Sequence, residues 1–250
     1  TTVSLIVITP EGVVVVDGQD TLELGLAMVE MIKQKTSLPV KYNVIASDHG
    51  DHVNSNMAIK KAYPDVRFIA SPVSAALLSK RLDIPEIEIV TNGLTLNLGG
   101  TEIQVLDIGR GHTGGDLVAY LPESKVLFLG ELYLRYVFPA MITGYPSDWV
   151  KTINTAQGMD VDWYVPGHGF VEDDDPAVME ADLENALKAT EHVISEARRL
   201  HAAGHACASE KDCPAAEHAD WGPYADWTLF ESQSARALAR VYMEIEGNLP

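Results

Sequence analysis

The chain has 250 residues, 46% hydrophobic and 22% charged, with a formal net charge of −18. Such a length and composition suit a globular protein that buries a sizeable core. The charge repels phosphate backbones and anionic lipid, which argues against nucleic acid and membrane surfaces as partners, and no apolar run reaches membrane-spanning length.

Val3–Ile8, Pro10-Glu-Gly12 and Val13–Val16 read as a hairpin of buried strands that Asp17-Gly18 ends. No signal peptide is visible ahead of it. Leu22, Leu26, Val29 and Ile32 recur at helical spacing across Thr21–Gln34, with Thr21 as N-cap. Pro39–Ala46 returns to strand, and Ser55–Ala62 suits a helix. Val66–Ala70 is a strand, and Ser71-Pro72 opens a helix running to about Arg81. Strands are expected at Ile87–Val90, Leu94–Leu98, Thr101–Ile108, Leu117–Leu121 and Val126–Leu129. Ser147–Met159 reads as helix and Trp163–Val165 as strand. A long amphipathic helix runs from Pro176 to about Ala203, a loop from Gly204 to Asp226, and a closing helix from Trp227 to Ile245. The order suggests two αβ halves, each a mixed sheet with helices on its outer face. With no low-complexity segment or long linker, 1–250 reads as one domain with a helical C-terminal extension from about 176.

The chemistry concentrates in Ala-Ser-Asp-His-Gly-Asp-His, residues 46–52, which packs Asp48, His49, Asp51 and His52 just after a strand. Imidazole and carboxylate hold borderline divalent metals. Three further candidates follow: His112 in the glycine-rich loop Gly109-Arg-Gly-His-Thr-Gly-Gly-Asp116, Glu131 at the end of a strand in Phe-Leu-Gly-Glu, and His168 after another strand in Pro-Gly-His-Gly. Of eight histidines, four (His49, His52, His112, His168) lie in these loops.

As a set, these motifs resemble the metallo-β-lactamase superfamily, whose pattern is His-x-His-x-Asp-His, then Gly-His-Thr-x-Gly, Gly-Asp and Pro-Gly-His-Gly. The resemblance covers Val3 to about Glu172. It implies an α/β (α+β) fold, an αββα sandwich of two mixed β-sheets with helices outside. It implies metal ligands at His49, Asp51, His52, His112, Glu131 and His168, and zinc as the ion, with iron or manganese as alternatives. Two positions depart from the pattern. Ser47 stands where the first histidine belongs, and Glu131 replaces the bridging aspartate. The Asp51/His52/His168 site is therefore expected to be the stronger. Glu131, one methylene longer than aspartate, is expected to complete the His49/His112 site. Asp48 should point away from its neighbours on an extended segment.

These features predict hydrolysis of a small carbonyl substrate (ester, thioester, lactone or β-lactam-like amide) by a metal-bound hydroxide. Asp51 would orient the attacking water. Ser47, Tyr133 and Arg110 are weaker candidates for touching substrate, with Arg110 suited to a carboxylate and Tyr136 and Tyr145 suited to a wall. Two other readings stand beside this one: an impaired binding or regulatory protein, suggested by Ser47, and an iron-dependent sulfur-oxidising relative. The helical pair His201 and His205 has metal-compatible spacing, but Gly204 argues that the helix is ending there. The acidic run 172–175 reads as solvated charge at a helix start, and Trp221, Tyr224, Trp227 and Phe230 as core packing. Cys207 and Cys213 could close a disulfide, which would indicate a periplasmic or secreted protein; unpaired, they would suit the cytoplasm. Composition does not indicate an oligomeric state.

Overall fold

The computed structural model describes residues 2–81, 83–171 and 175–250. Its first sheet runs β1 (Leu5–Thr9), β2 (Gly12–Val16), β3 (Val40–Val44), β4 (Arg67–Ala70) and β5 (Ile87–Ile89), in that spatial order. β1 and β2 are antiparallel, and the other neighbours are parallel. The second sheet has the order β10-β9-β8-β7-β6, built from β6 (Leu94–Leu98), β7 (Thr101–Leu106), β8 (Val118–Leu121), β9 (Val126–Leu134) and β10 (Trp163–His168). Only β9 and β10 are parallel in this sheet.

The valine run of β2 shows how the layers form. Val13 to Val16 are all fully buried. Strand alternation sends successive side chains to opposite faces. Val13 and Val15 pack with Met28, Val29 and Ile32 of α1 (Leu22–Lys35). Val14 and Val16 pack against the second sheet, with Leu96, Ile103, Val105 and Phe128. A strand covered on both faces has no position for a polar residue, hence four consecutive valines. Each contributes roughly 1.5 kcal/mol or more by leaving water.

The second sheet mirrors this arrangement. Phe128 faces the first sheet, while Leu127 and Leu129 face the helices α5 (Pro146–Gln157), α6 (Pro176–Ala202) and α7 (Phe230–Ile245). The layers are helix, sheet, sheet, helix, the expected sandwich. The C-terminal helices form its outer layer: Leu183, Leu187, Leu238 and Val241 belong to the same buried cluster as β9.

Two elements differ from the sequence-based expectation. β9 continues past Leu129 to Leu134, so Glu131 lies inside a strand rather than at its end. Gly130 takes the left-handed region (φ +54°), and the β9–β10 register shifts around Pro166, which absorbs the irregularity without ending the strand. The helix expected at Ser55–Ala62 begins earlier and is broken into α2 (Gly50–Val53) and α3 (Asn56–Ala62). The break falls at Ser55, whose Oγ accepts from Gln19 N at 2.7 Å. Of the acidic run, Asp175 caps α6 by accepting from Ala177 N, and residues 172–174 lie outside the described residues. Cys207 and Cys213 form a disulfide. The aromatic cluster packs as expected, Trp221 against Phe230 and Tyr224 against Trp227.

Candidate metal centre

The candidate ligands meet at one edge of the sandwich. His49, Asp51 and His52 follow β3, and α2 carries the last two on one helical turn. His112 lies in the loop between β7 and β8, Glu131 is inside β9, and His168 ends β10. They form two groups, Asp51/His52/Glu131/His168 and His49/His112/Glu131, with the ligand atoms of each within 4.8 Å of one another. Glu131 belongs to both. Its Oε1 stands 3.0 Å from His112 Nε2, 3.4 Å from His168 Nε2 and 3.7 Å from His52 Nε2. Its Oε2 is 2.9 Å from His49 Nδ1. Asp51 Oδ2 is 3.1 Å from His168 Nε2.

Neighbouring groups select which nitrogens face inward. His52 Nδ1 contacts the fully buried Asp17 Oδ2 at 2.8 Å, and Asp17 Oδ1 accepts from Ala46 N at 2.7 Å. A proton held between Asp17 and Nδ1 leaves His52 Nε2 as the ligand nitrogen. Thr143 does the same for His49. Its hydroxyl donates to His112 O (3.1 Å), so its oxygen accepts from His49 Nε2 (3.0 Å). His49 Nδ1 is left to face Glu131.

Inward nitrogens then oppose each other, His52 Nε2 to His168 Nε2 at 3.2 Å and His49 Nδ1 to His112 Nε2 at 3.1 Å. Facing lone pairs beside carboxylate oxygens fit a cation, and the nitrogen–oxygen donor set suits a borderline divalent metal.

Two acids that the motifs alone do not single out support the centre, Asp17 and Asp116. Asp116 is buried and accepts from Gly111 N (2.9 Å), Thr113 N (2.9 Å) and Thr113 Oγ1 (2.5 Å). It thereby folds the loop that presents His112. Burial pushes its carboxyl up to about 7, against the Thr113 hydrogen bonds that favour the charge. Each acid has a visible sequence signal: one directly follows four buried valines, and the other closes a glycine-rich histidine loop.

Burial works against ionising Glu131, but His112 and the surrounding imidazoles outweigh it and hold the carboxyl well below the usual range. Burial likewise opposes charge on His49 and His168. Hydrogen bonds to carboxylates outweigh it, from Glu131 for His49 and from Asp51 for His168, and raise both to about 9. Asp51, in spite of burial, is drawn to about 2 by its bond to His168. Metal must displace these imidazole protons. Apparent affinity should therefore rise about tenfold or more per pH unit from pH 6.5 to 9 and level off above, as read by competition with a chromophoric chelator. Stability of the metal-free chain should move the opposite way. A raised imidazole pKa stabilises fully below about 6.5 and is lost as pH rises through about 9. Melting in chelator at pH 6.5 and 9 checks this; a higher melting point at pH 9 would contradict it.

The structure distributes the weaker candidates differently. Ser47 is buried within the centre, its hydroxyl donating to Glu131 Oε2 and accepting from His49 N at 3.3 Å. Asp48 belongs to neither ligand group; Ser74 Oγ donates to it at 3.3 Å. Tyr133 does not line a substrate site. It has no exposed surface and sits in the core beneath α5 and α6, because its strand position faces the helices. Arg110 is committed to Asp148 at 2.8 Å and stacks on Tyr145 at 3.8 Å, so its charge is already answered. Tyr136 donates to Asp182 at 2.5 Å. Tyr145 lines a cleft of about 610 Å³ together with Asp48, Val73, Leu77, Thr113 and Thr143. Thr143 also touches His49, so the cleft lies beside the His49/His112 group, although none of the six ligand candidates lines it. His201 and His205 belong to no ligand group among the described residues; their rings pack on Tyr242 and His218.

Known proteins resemble the chain in sequence and in fold. The chain is 25% identical to a "Metallo-beta-lactamase type 2" of Bacillus sp. (strain 170) over 177 residues, 68% of this chain and 67% of that one. It is 25% identical to a "Hydroxyacylglutathione hydrolase" of Brucella anthropi over 199 residues, 77% of this chain and 73% of the relative. Among solved structures, a metallo-beta-lactamase from Pontibacter korlensis superposes with a TM-score of 0.67 at 26% identity, covering 76% of this chain and 87% of that one. The family model for the metallo-beta-lactamase superfamily matches residues 1–168, a span that holds both sheets and all six ligand candidates, and on that match the chain belongs to the metallo-β-lactamase superfamily.

Proposed function

We propose that the chain is a metal-dependent hydrolase of a small carbonyl substrate: an ester, thioester, lactone or β-lactam-like amide. The observation that carries this reading is the convergence of four imidazoles and two carboxylates into two groups that share Glu131, beside an open cleft. Asp51, His52 and His168 would hold one ion, and His49 and His112 the other, with Glu131 serving both. Zinc suits the donors best; iron and manganese also accept them. When bound, the metal supplies Lewis acidity and a water whose pKa falls to about 7.

The chain's own residues prepare that chemistry. Asp17 and Thr143 each hold one imidazole proton away from the centre, so the inward nitrogens are free to ligate. Asp51 is partly exposed beside His168, where its carboxylate would accept a hydrogen bond from a water and fix its orientation. The net charge of −18 disfavours polyanionic substrates such as nucleic acid. The Cys207–Cys213 disulfide supports maturation in an oxidising compartment.

Ser47 is the feature that favours an impaired binding protein. Against that reading, Glu131 already reaches the His49/His112 group that a histidine at 47 would serve. Protein purified without chelator should carry close to one or two equivalents of transition metal by elemental analysis, and Asp51→Ala should lose hydrolysis across a panel of chromogenic esters, thioesters and lactams. Less than about a tenth of an equivalent, or full turnover by Asp51→Ala, would overturn the proposal.

A further inference from the structure

The strand that carries Glu131 closes against His168 and is then held from outside the sandwich. Leu134, the last residue of β9, pairs with His168 at the end of β10. Arg135 N donates to His168 O at 3.0 Å. Gly169, just past β10, has a φ of +105°, and a Cβ there would lie 2.4 Å from Arg135 O. The two backbones are in direct contact, so a shift of Arg135 is passed on to His168.

Arg135 is in turn fixed by α6. Its side chain is more than nine-tenths buried. Nε and Nη2 both reach Asp182 Oδ2, at 2.8 and 2.7 Å. Nη1 donates to Phe170 O at 2.8 Å, two residues past His168. Asp182 is equally buried, and its other oxygen accepts from the Tyr136 hydroxyl at 2.5 Å. Tyr136 has a left-handed backbone (φ +53°), which a bulky residue keeps only where its surroundings enforce it. One carboxylate thus holds both the residue bonded to His168 O and the strained turn that follows. Its helix is firmly seated, since the adjacent Leu183 and Leu187 are core residues.

Stability is a poor explanation for this arrangement. Apolar side chains of similar volume often serve as well as a buried ion pair. They could not, however, direct a donor to Phe170 O. Asp182 also lies beyond residue 168, where the family match ends. The contact is therefore supplied by the C-terminal helices.

We propose that Asp182 is a positioning residue for His168: from α6 it holds Arg135 and Tyr136, and through Arg135 it sets where the His168–Phe170 backbone lies. This rests on the hydrolase reading above and adds a residue to its metal centre. His168 Nε2 must stay close to Asp51 and Glu131, now 3.1 and 3.4 Å away, and metal–ligand distances tolerate only about 0.2 Å. His49 and His112 are carried by other segments, after β3 and between β7 and β8, so their group should be spared.

The test is zinc binding to the full chain, by competition with a chromophoric chelator, in two backgrounds that isolate the groups. In His112→Ala, where the His168 group remains, adding Asp182→Asn should weaken zinc binding about tenfold or more. In His168→Ala, where the His49/His112 group remains, it should change affinity by less than about twofold. In the metal-free protein the Arg135 amide should exchange about tenfold faster in Asp182→Asn, while the amides of β2 keep their protection. Arg135→Met combined with Asp182→Leu separates positioning from stability. Its melting temperature should stay within about 3 °C of wild type, yet zinc affinity in the His112→Ala background should still fall about tenfold. Equal losses in both backgrounds, or full affinity in the apolar pair, would overturn the proposal. If the wild type takes up no zinc while the Arg135 amide still opens in Asp182→Asn, the hydrolase reading fails and the hold of Asp182 on the His168 segment stands.

Discussion

Glu131→Ala is expected to empty both ligand groups of metal, lowering apparent affinity more than about 100-fold and hydrolysis to about 1% or less of wild type. The reason is geometric. Glu131 is the one side chain common to the two groups, with contacts to all four imidazoles. His168→Ala should disable only one group, and His112→Ala only the other. Elemental analysis after dialysis, with turnover measured in parallel, distinguishes the three variants. Glu131→Gln separates charge from volume, since it keeps the shape and removes the anion. Both variants should also lower the pKa of His49 and His168 from about 9, because burial would then act with less carboxylate to oppose it. Proton NMR titration of the metal-free protein reads this independently of activity. Two equivalents of metal retained in Glu131→Ala would rule out the shared-carboxylate arrangement.

Gly167→Ala should be among the most damaging single-methyl changes in the chain. A Cβ at residue 167 would lie 2.4 Å from Gly130 C, 2.5 Å from its carbonyl oxygen and 2.7 Å from Glu131 N. All three are backbone atoms, so no side chain can swing aside. β9 and β10 would have to part at the point where they bring Glu131 and His168 together. We expect a loss of about 3 kcal/mol or more, a fall in melting temperature of roughly 6–12 °C, and weaker metal binding at the group containing His168. Gly204→Ala is a suitable contrast, because a methyl on that exposed residue would meet nothing within 4 Å, although its positive φ imposes a local cost. A melting temperature for Gly167→Ala within about 2 °C of wild type would show that the strands can separate cheaply.

Much of the layer structure was legible because strand alternation is local. The four valines of β2 and the alternating Leu94–Leu98 each indicate a buried face within a few residues. The ends of elements were less legible where glycine was the signal. Gly130 reads as a terminator, yet β9 runs through it, because a left-handed glycine inside a strand can be absorbed by a register shift in the neighbour. Ser47 reads mainly as a missing histidine, yet it is a hydrogen-bond donor to the carboxylate shared by the two ligand groups.

Sequence by itself determined which residue types were available for chemistry and in what order. It could do so because motif spacing and hydrophobic period are properties of neighbouring residues. Only the tertiary structure decided which of them share a site. His52 and His168 are 116 residues apart, and Ser47 and Glu131 are 84 apart, so their contacts depend on how two sheets stack. The same holds for the residues that support or surround them. Asp17 becomes a partner of His52 by burial, Tyr133 becomes core by the face its strand presents, and Arg110 is taken up by Asp148, 38 residues away. Charge and hydrogen-bonding capacity can be read from composition, but whether they are satisfied is a long-range outcome of packing.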